Sequence, residues 1–456
     1  MATQGRKMLA ILFAVCLFFA PAASGLSNAY ADYTPPFALT TQGVYLVNLD
    51  SDKVIYAKNE TQRMYPASLT KILSAIVILE NVDDLDATTA TAQQWMFDEF
   101  WGLNISNAGM QAGETMTMRQ LLYCMLMQSA NECANVAAYQ VGGESIPRFI
   151  DMMNETAKKI GAVNSHFVNP HGLHDDNHYS TPYDMYLIAR YAMNLPGFME
   201  IVSESVYYLE ATNKVERRTL VNTNHMMSTT MSDGRYYYAP VEGIKTGTTP
   251  EAGRCVITKA QSGGMNYLCV MMGAPYYDED GNITTTNNAF VETKELYEWA
   301  FSTFGVKVLL ERDEPVEEVP LHLAWDKDYL LLIPERSFSA LVPKDIDPES
   351  VQTEVVLPED GVTAPVKRGD VIGSVKLILA GEQIGEVNLV AADDVERSDW
   401  LFFLAELQKF FTSAPFWICV GVFVFAVVCY LVYIASRNRR RNNRGRYKQS
   451  KMRKRF

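Results

Sequence analysis

Cysteine and histidine are scarce in this chain, with seven and six among 456 residues. The cysteines are too scattered to form a disulfide framework, and none sits at the spacing of a zinc site. Cys124 and Cys133 are nine residues apart in one helical region. On a continuous axis that is about 13 Å, too far to bridge. Cys255 and Cys269 fall on neighbouring strands, where a bridge stays open. Positive charge is also lacking in the body of the chain. The formal net charge is −13, but residues 437–456 hold 11 Lys/Arg and Arg6 and Lys7 add two more, so the remainder carries −26. A body that acidic argues against binding to nucleic acid or an anionic surface. Charge of either sign is missing from Phe410 to Ser436, a run of 27 residues.

What is present at the two ends reads as export and anchoring. Arg6 and Lys7 precede a 13-residue apolar stretch, Met8 to Ala20, and Ala29-Tyr30-Ala31 has the form of a signal-peptidase site. Residues 1–31 therefore read as a signal peptide, cleaved after Ala29 or Ala31. The uncharged run near the other end is long enough to cross a bilayer. The tail after it has no Asp or Glu, which by the positive-inside rule places the tail in the cytoplasm and the body outside.

The middle of the chain alternates strands and helices. A hairpin is expected from Gly43–Asn48 and Lys53–Lys58, and helices near 121–127, 133–141, 146–160, 182–193 and 287–304. Two apolar strands, Arg254 to Ala260 and Asn266 to Gly273, are split by Ser262-Gly263-Gly264. Strands at both ends of a helical stretch imply an α+β domain in which chain-distant strands share one antiparallel sheet. After about Gly305 short apolar runs alternate with Pro and acidic turns, the texture of a small all-β domain to about Asp394. Ser398 to Thr412 then reads as an interfacial helix rich in Trp and Phe.

The chemistry centres on Pro66-Ala67-Ser68-Leu69-Thr70-Lys71, which runs into an apolar segment without charge until Glu80. On a helix Ser68 and Lys71 share a face, roughly 5–6 Å apart at Cβ. A lysine at a dry helix start tends to lose its proton, and a neutral amine beside a hydroxyl is a general base beside a nucleophile. Ser68 as a plain N-cap and Lys71 as a snorkelling side chain is the structural alternative. Ser129-Ala130-Asn131 alone reads as a cap or turn, and Lys245-Thr246-Gly247 alone as a strand end. His166, His171, His174, Asp175, Asp176 and His178 cluster in sequence and invite a metal reading, but a structural loop is favoured and no metal or other cofactor is expected. His225 reads as structural.

Together, Ser68-x-x-Lys71, Ser129-x-Asn131 and Lys245-Thr246-Gly247 resemble, in order and spacing, the penicillin-interacting serine enzymes. With Gln128 to Glu132, Gly243 to Thr249 and Asn169-Pro170-His171-Gly172-Leu173, they resemble the low-molecular-mass serine-type D-alanyl-D-alanine carboxypeptidases over roughly 35–305. Ala364 to Gly369 onward is similar to the β domain of that family. The resemblance implies a β-lactamase/transpeptidase-like domain (antiparallel sheet plus helical cluster), then the small all-β domain and a C-terminal transmembrane helix. The organisation expected is a signal peptide at 1–31, the catalytic domain at 32–304 and the β domain at 305–394. An interfacial helix at 395–414, a membrane helix at 415–436 and a basic tail at 437–456 follow.

The resemblance further implies that Ser68 attacks the terminal peptide bond, Lys71 takes its proton and Ser129 relays a proton to the leaving amine. Asn131 bonds Lys71 or the substrate amide. Lys245 supplies charge that also lowers the Lys71 pKa, Thr246 and Thr248 hold the substrate carboxylate beside Gly247, and the N–H groups of Ser68 and Thr248 form the oxyanion hole. Peptidoglycan stem peptides are the implied substrates and β-lactams the covalent inhibitors, with nothing implied about oligomeric state. Ser-Ala-Asn in place of Ser-Asp-Asn, and no deacylating glutamate motif before Lys245, argue against a class A β-lactamase. Some relatives carry Arg beside the methionine that opens the last strand, where Asn266 stands here. The rivals are a D,D-endopeptidase, a weak β-lactamase and a non-catalytic muropeptide-binding scaffold.

Overall fold

The computed structural model describes residues 33–452, with side chains to Arg439. The expected signal peptide and its cleavage points at Ala29 and Ala31 lie outside the described residues. The chain divides into two units. The first runs to Lys307 and takes in Ala340–Ile346; the second holds Val308–Ser339 and everything from Asp347 on.

The first unit is built on one five-stranded sheet. Strands β1 (Gly43–Asn48) and β2 (Lys53–Lys58) form the expected hairpin. They are joined by β3 (Val241–Thr249), β4 (Gly253–Ser262) and β5 (Met265–Ala274) in the order β2-β1-β5-β4-β3. Every pairing is antiparallel, so the two ends of the domain sequence meet at β1–β5. Strand β1 is buried along its whole length because helices cover both faces of the sheet. On one face pack α1 (Thr70–Asn81), α2 (Met118–Met127), α3 (Asn131–Val141), α4 (Ile146–Ile160) and α5 (Pro182–Met193). On the other lies α6 (Asn288–Thr303), through Leu296, Tyr297 and Ala300. Strand alternation puts Cys255 on the first face and Cys269 on the second, so the bridge left open by the sequence is excluded, and both are free thiols.

The expectation for Cys124 and Cys133 is corrected. They do not share a helix axis: Ser129, at φ 61°, breaks the helix and turns α3 back onto α2. The two thiols come close together, and the neighbouring Cys124, followed by burial, pushes the Cys133 thiol well above its usual value. They are close neighbours, both unoxidised.

The second unit holds a six-stranded sheet. Its strands are β6 (Glu317–His322), β7 (Tyr329–Pro334), β8 (Gln352–Val356), β9 (Val362–Thr363), β10 (Val371–Leu379) and β11 (Glu382–Ala391). The order is β8-β10-β11-β7-β6-β9, the all-β texture expected after Gly305. Alternate residues, such as Val319 and Leu321 on β6 and Val387 and Leu389 on β11, make its core. Helix α7 (Asp399–Thr412) is N-capped by Ser398, and its Trp400, Phe403, Leu407, Phe410 and Phe411 are exposed. Helix α8 (Ala414–Met452) follows. Among the described residues its part Ala414–Arg439 is the one stretch long and apolar enough to cross a membrane, and none of that stretch is buried against protein. The basic segment continues the same helix, because Lys and Arg are good helix formers and no glycine cap or proline follows Ser436 at once.

Candidate active site

Ser68 lies just ahead of α1 rather than in its first turn. Ala67 takes φ 47°, which an α-helix cannot accommodate, so Ala67–Leu69 form a 3₁₀ turn. Two devices hold this turn. Thr70 Oγ1 donates to the Ala67 carbonyl (2.8 Å) and lies 2.7 Å from His178 Nε2. The Val168 N–H donates to His178 Nδ1 (3.2 Å), so the ring proton sits on Nε2 and is given to Thr70. Burial pulls His178 down to about 3 and keeps it neutral. The second device is Gly172, where a Cβ would stand 1.9 Å from the Ala67 oxygen. Only glycine lets the 169–173 loop pass there.

That loop is closed by Asn169, whose Oδ1 accepts from Gly172 N–H (2.6 Å) and whose Nδ2 donates to the Leu173 carbonyl (2.9 Å). It presents two consecutive carbonyls to α1. Ser74 donates to Pro170 (2.6 Å), and Lys71, one turn earlier, donates to His171 (2.6 Å). Lys71 Nζ also donates to Asn131 Oδ1 (2.7 Å) and is 2.9 Å from Ser68 Oγ. The side chain is fully buried. Burial, then the charge of Lys245, hold Lys71 well below the usual lysine range, against a smaller opposing pull from Glu132. Burial in turn holds the Glu132 carboxyl above its usual range. A neutral amine has two N–H bonds and one lone pair. The two carbonyl oxygens consume the N–H bonds, so the lone pair is left for the Ser68 hydroxyl, which becomes the donor.

Strand β3 forms the opposite wall. At Gly247 a Cβ would come within 3.0 Å of the Pro66 oxygen and 3.1 Å of the Ser68 nitrogen, so glycine permits the strand to approach the Ser68 N–H. Lys245 is buried and donates to the Thr246 carbonyl (3.0 Å); burial pulls it down to about 7. Between the walls is a cleft of about 330 Å³ lined by Ser68, Ser129, Thr246, Gly247 and Thr248, with Lys71, Asn131 and Lys245 beneath. The structure thus brings the seven residues of the three motifs, with Thr248 beside them, to one place.

It also adds residues that the motifs do not contain. Thr223 Oγ1 lies 2.6 Å from Thr246 Oγ1. His225 lines the cleft with Ser232, its Nδ1 2.8 Å from Ser232 Oγ, and burial lowers its pKa. Arg254 lines the cleft as well. Neither Thr223 nor Arg254 belongs to a short motif, and only strand register or loop contact brings each to the site. Asn266 is far along the sheet from Thr248. It is the second residue of β5, paired with Gln261 next to the β4–β5 turn, and its Nδ2 donates to Asp50 Oδ1 (2.9 Å). Of the histidine cluster, His178 and His171 serve the turn and the loop. His166 holds its own segment through the Asn177 carbonyl (2.6 Å).

A buried lysine amine in hydrogen-bond contact with a serine hydroxyl, beside a closely approaching strand and a second buried lysine, is the geometry of a serine hydrolase that works by acyl transfer. A family model described as D-alanyl-D-alanine carboxypeptidase matches residues 30–276, and one described as penicillin-binding protein 5, C-terminal domain, matches 304–397. The first match covers more than half of the chain, and the chain belongs to that family of serine-type D-alanyl-D-alanine carboxypeptidases. Among its relatives is the D-alanyl-D-alanine carboxypeptidase DacF of Bacillus subtilis, 27% identical over 88% of this chain and 97% of that one. The crystal structure of penicillin binding protein 5 from Haemophilus influenzae is similar with a TM-score of 0.57 and 27% identity, covering 80% of this chain and 100% of that one. The Streptomyces K15 DD-transpeptidase gives 0.52 and 27%, covering 59% and 99%.

Proposed function

We propose that the chain removes the terminal D-alanine from peptidoglycan stem peptides ending in D-Ala-D-Ala, with Ser68 as nucleophile. Ser68 Oγ attacks the carbonyl carbon of the last peptide bond while its proton passes to Lys71 Nζ. The oxyanion is received by the N–H groups of Ser68 and Thr248, each worth about 3–4 kcal/mol. Collapse breaks the C–N bond. D-alanine leaves as an amine, protonated from Lys71 through Ser129, and water then hydrolyses the Ser68 ester. Asn131 keeps Lys71 aimed, Thr246 and Thr248 hold the substrate's carboxylate, and Lys245 draws the anion in. β-Lactams acylate the same serine.

The observation that carries this reading is the set of three contacts at Lys71, which leaves a lone pair facing Ser68. The apolar helix and basic tail support a single-pass anchor with both folded units outside the cell and residues 437–456 in the cytoplasm. Three assays on one preparation test the activity: D-alanine released from a pentapeptide, cleavage of a cross-linked dimer, and hydrolysis of penicillin. D-alanine release is expected to dominate. Dimer cleavage above it would make the enzyme an endopeptidase, and rapid penicillin turnover a β-lactamase.

A further inference from the structure

Thr248 and Arg254 line the cleft, whereas residues 250–253 between them line a second cavity of about 250 Å³. The turn from β3 into β4 thus separates the two. Three tyrosines wall the second cavity. Tyr65 stands just ahead of the Ser68 turn, its ring edge-on to His174 (4.5 Å) and its hydroxyl donating to Asp176 (3.3 Å). Tyr276 and Tyr277 follow β5 and meet edge to face at 4.8 Å, and Tyr277 is exposed. The polar part of the wall includes Gln62, Arg63 and Glu251. Arg63 stacks on Tyr179 (4.4 Å). Among the described residues, none of these three side chains takes part in a hydrogen bond or an ion pair, so their polar groups are open to a ligand.

Arg63 and Glu251 are the only charged groups among the described residues of this wall, and their charges cancel. A wall without net charge favours neither a carboxylate nor an amine. It suits a neutral ring whose C–H face packs on an aromatic side chain while its hydroxyl and amide groups bond the guanidinium, carboxylate and amide. The volume falls below the roughly 300–1,000 Å³ of sites for drug-sized ligands, so one sugar ring fits better than an extended chain. The direction of the substrate points the same way. In the reaction proposed above, the carboxylate sits at Thr246 and Thr248 and the reacting carbonyl at the Thr248 N–H. The rest of the stem peptide then runs from Thr248 toward the β3–β4 turn. Glu251 is three residues on, about 10 Å at the rise of a strand. The four stem residues between the reacting bond and the glycan strand span up to about 14 Å when extended. We propose that this cavity is a glycan subsite, holding one N-acetylated amino sugar while the stem peptide attached to it enters the cleft. The inference rests on the function proposed above for the direction of the peptide.

Two measurements test it. In saturation-transfer NMR the full chain, in a detergent without a sugar headgroup, is mixed with di-N-acetylchitobiose, a neutral amino-sugar dimer without peptide. Maltose is the control. Transfer to the N-acetyl and ring protons of the amino sugar is expected, with none to maltose. The signal should fall by about threefold or more in Tyr277→Ala and persist in Tyr277→Phe, which keeps the aromatic face. D-alanine release is then compared on a pentapeptide and on the same pentapeptide attached to its disaccharide. Wild type is expected to favour the glycosylated substrate by about 3- to 10-fold in kcat/KM, the range of one stacked ring. Tyr277→Ala and Gln62→Ala should lose that advantage while release from the bare pentapeptide is unchanged. Equal rates on the two substrates in wild type, or equal losses on both in Tyr277→Ala, would overturn the proposal. So would a sugar signal that survives Tyr277→Ala. A wild-type chain that binds chitobiose through Tyr277 but releases D-alanine from neither substrate would instead overturn the functional reading and leave the sugar site standing.

Discussion

At Lys71 a side chain with no exposure is held by two carbonyl oxygens and aimed at a hydroxyl, and the consequences for pH follow from its neighbours. The proposed mechanism has acylation require Lys71 without its proton and Lys245 with its own. Burial and the Lys245 charge hold Lys71 well below the usual lysine range, whereas burial alone leaves Lys245 at about 7. The rate of acylation by a fluorescent penicillin should therefore rise with pH as Lys71 deprotonates and fall as pH passes about 7 and Lys245 loses its charge. In Lys245→Arg the alkaline fall should disappear, since a guanidinium keeps its proton. Lys71→Ala should slow acylation by about 10²- to 10⁴-fold, the usual loss for a general base, in the same assay.

On the scale of elements, the site depends on where the chain is allowed to come close. Gly172→Ala sets a methyl against the Ala67 oxygen, and both the 169–173 loop and the Ala67–Leu69 turn must shift. A stability loss of at least about 2 kcal/mol is expected, seen as a lowered thermal midpoint, together with slower acylation. The parts of the site legible in the sequence were those that follow local periodicity. Ser68 and Lys71 show in the sequence through their i, i+3 spacing, which the 3₁₀ turn running into α1 keeps in contact at 2.9 Å, and β1, β2, β4 and β5 show as apolar runs between turn residues. What was not legible came from backbone and register. The positive φ at Ser129 folds α2 against α3 and brings Cys124 to Cys133, where a continuous helix would separate them. The His171 carbonyl bonds Lys71 through an atom that every residue carries, so no side-chain pattern announces it. Arg254 faces the cleft only because β4 pairs with β3 in the register that sets it against Thr248.

For the whole molecule, the candidate membrane anchor and the cleft belong to separate segments of the chain. Three motifs drawn from Ser68 to Gly247 meet at the cleft within the first unit, while the aromatic α7 and the apolar part of α8 follow the β domain. A chain ended after Arg397 should move from the membrane to the soluble fraction on cell fractionation and still release D-alanine from a soluble pentapeptide at a rate within about twofold of the full chain. Retention in the membrane would contradict the anchoring role of α7 and α8. The central claim, however, is that an uncharged Lys71 makes Ser68 a nucleophile. Its most direct test is the intact mass of the full chain after brief exposure to penicillin, followed by peptide mapping. The expected result is one added penicilloyl group on the peptide containing Ser68, absent in Ser68→Ala and strongly slowed in Lys71→Ala. An unmodified chain, or an adduct that survives Ser68→Ala, would contradict it.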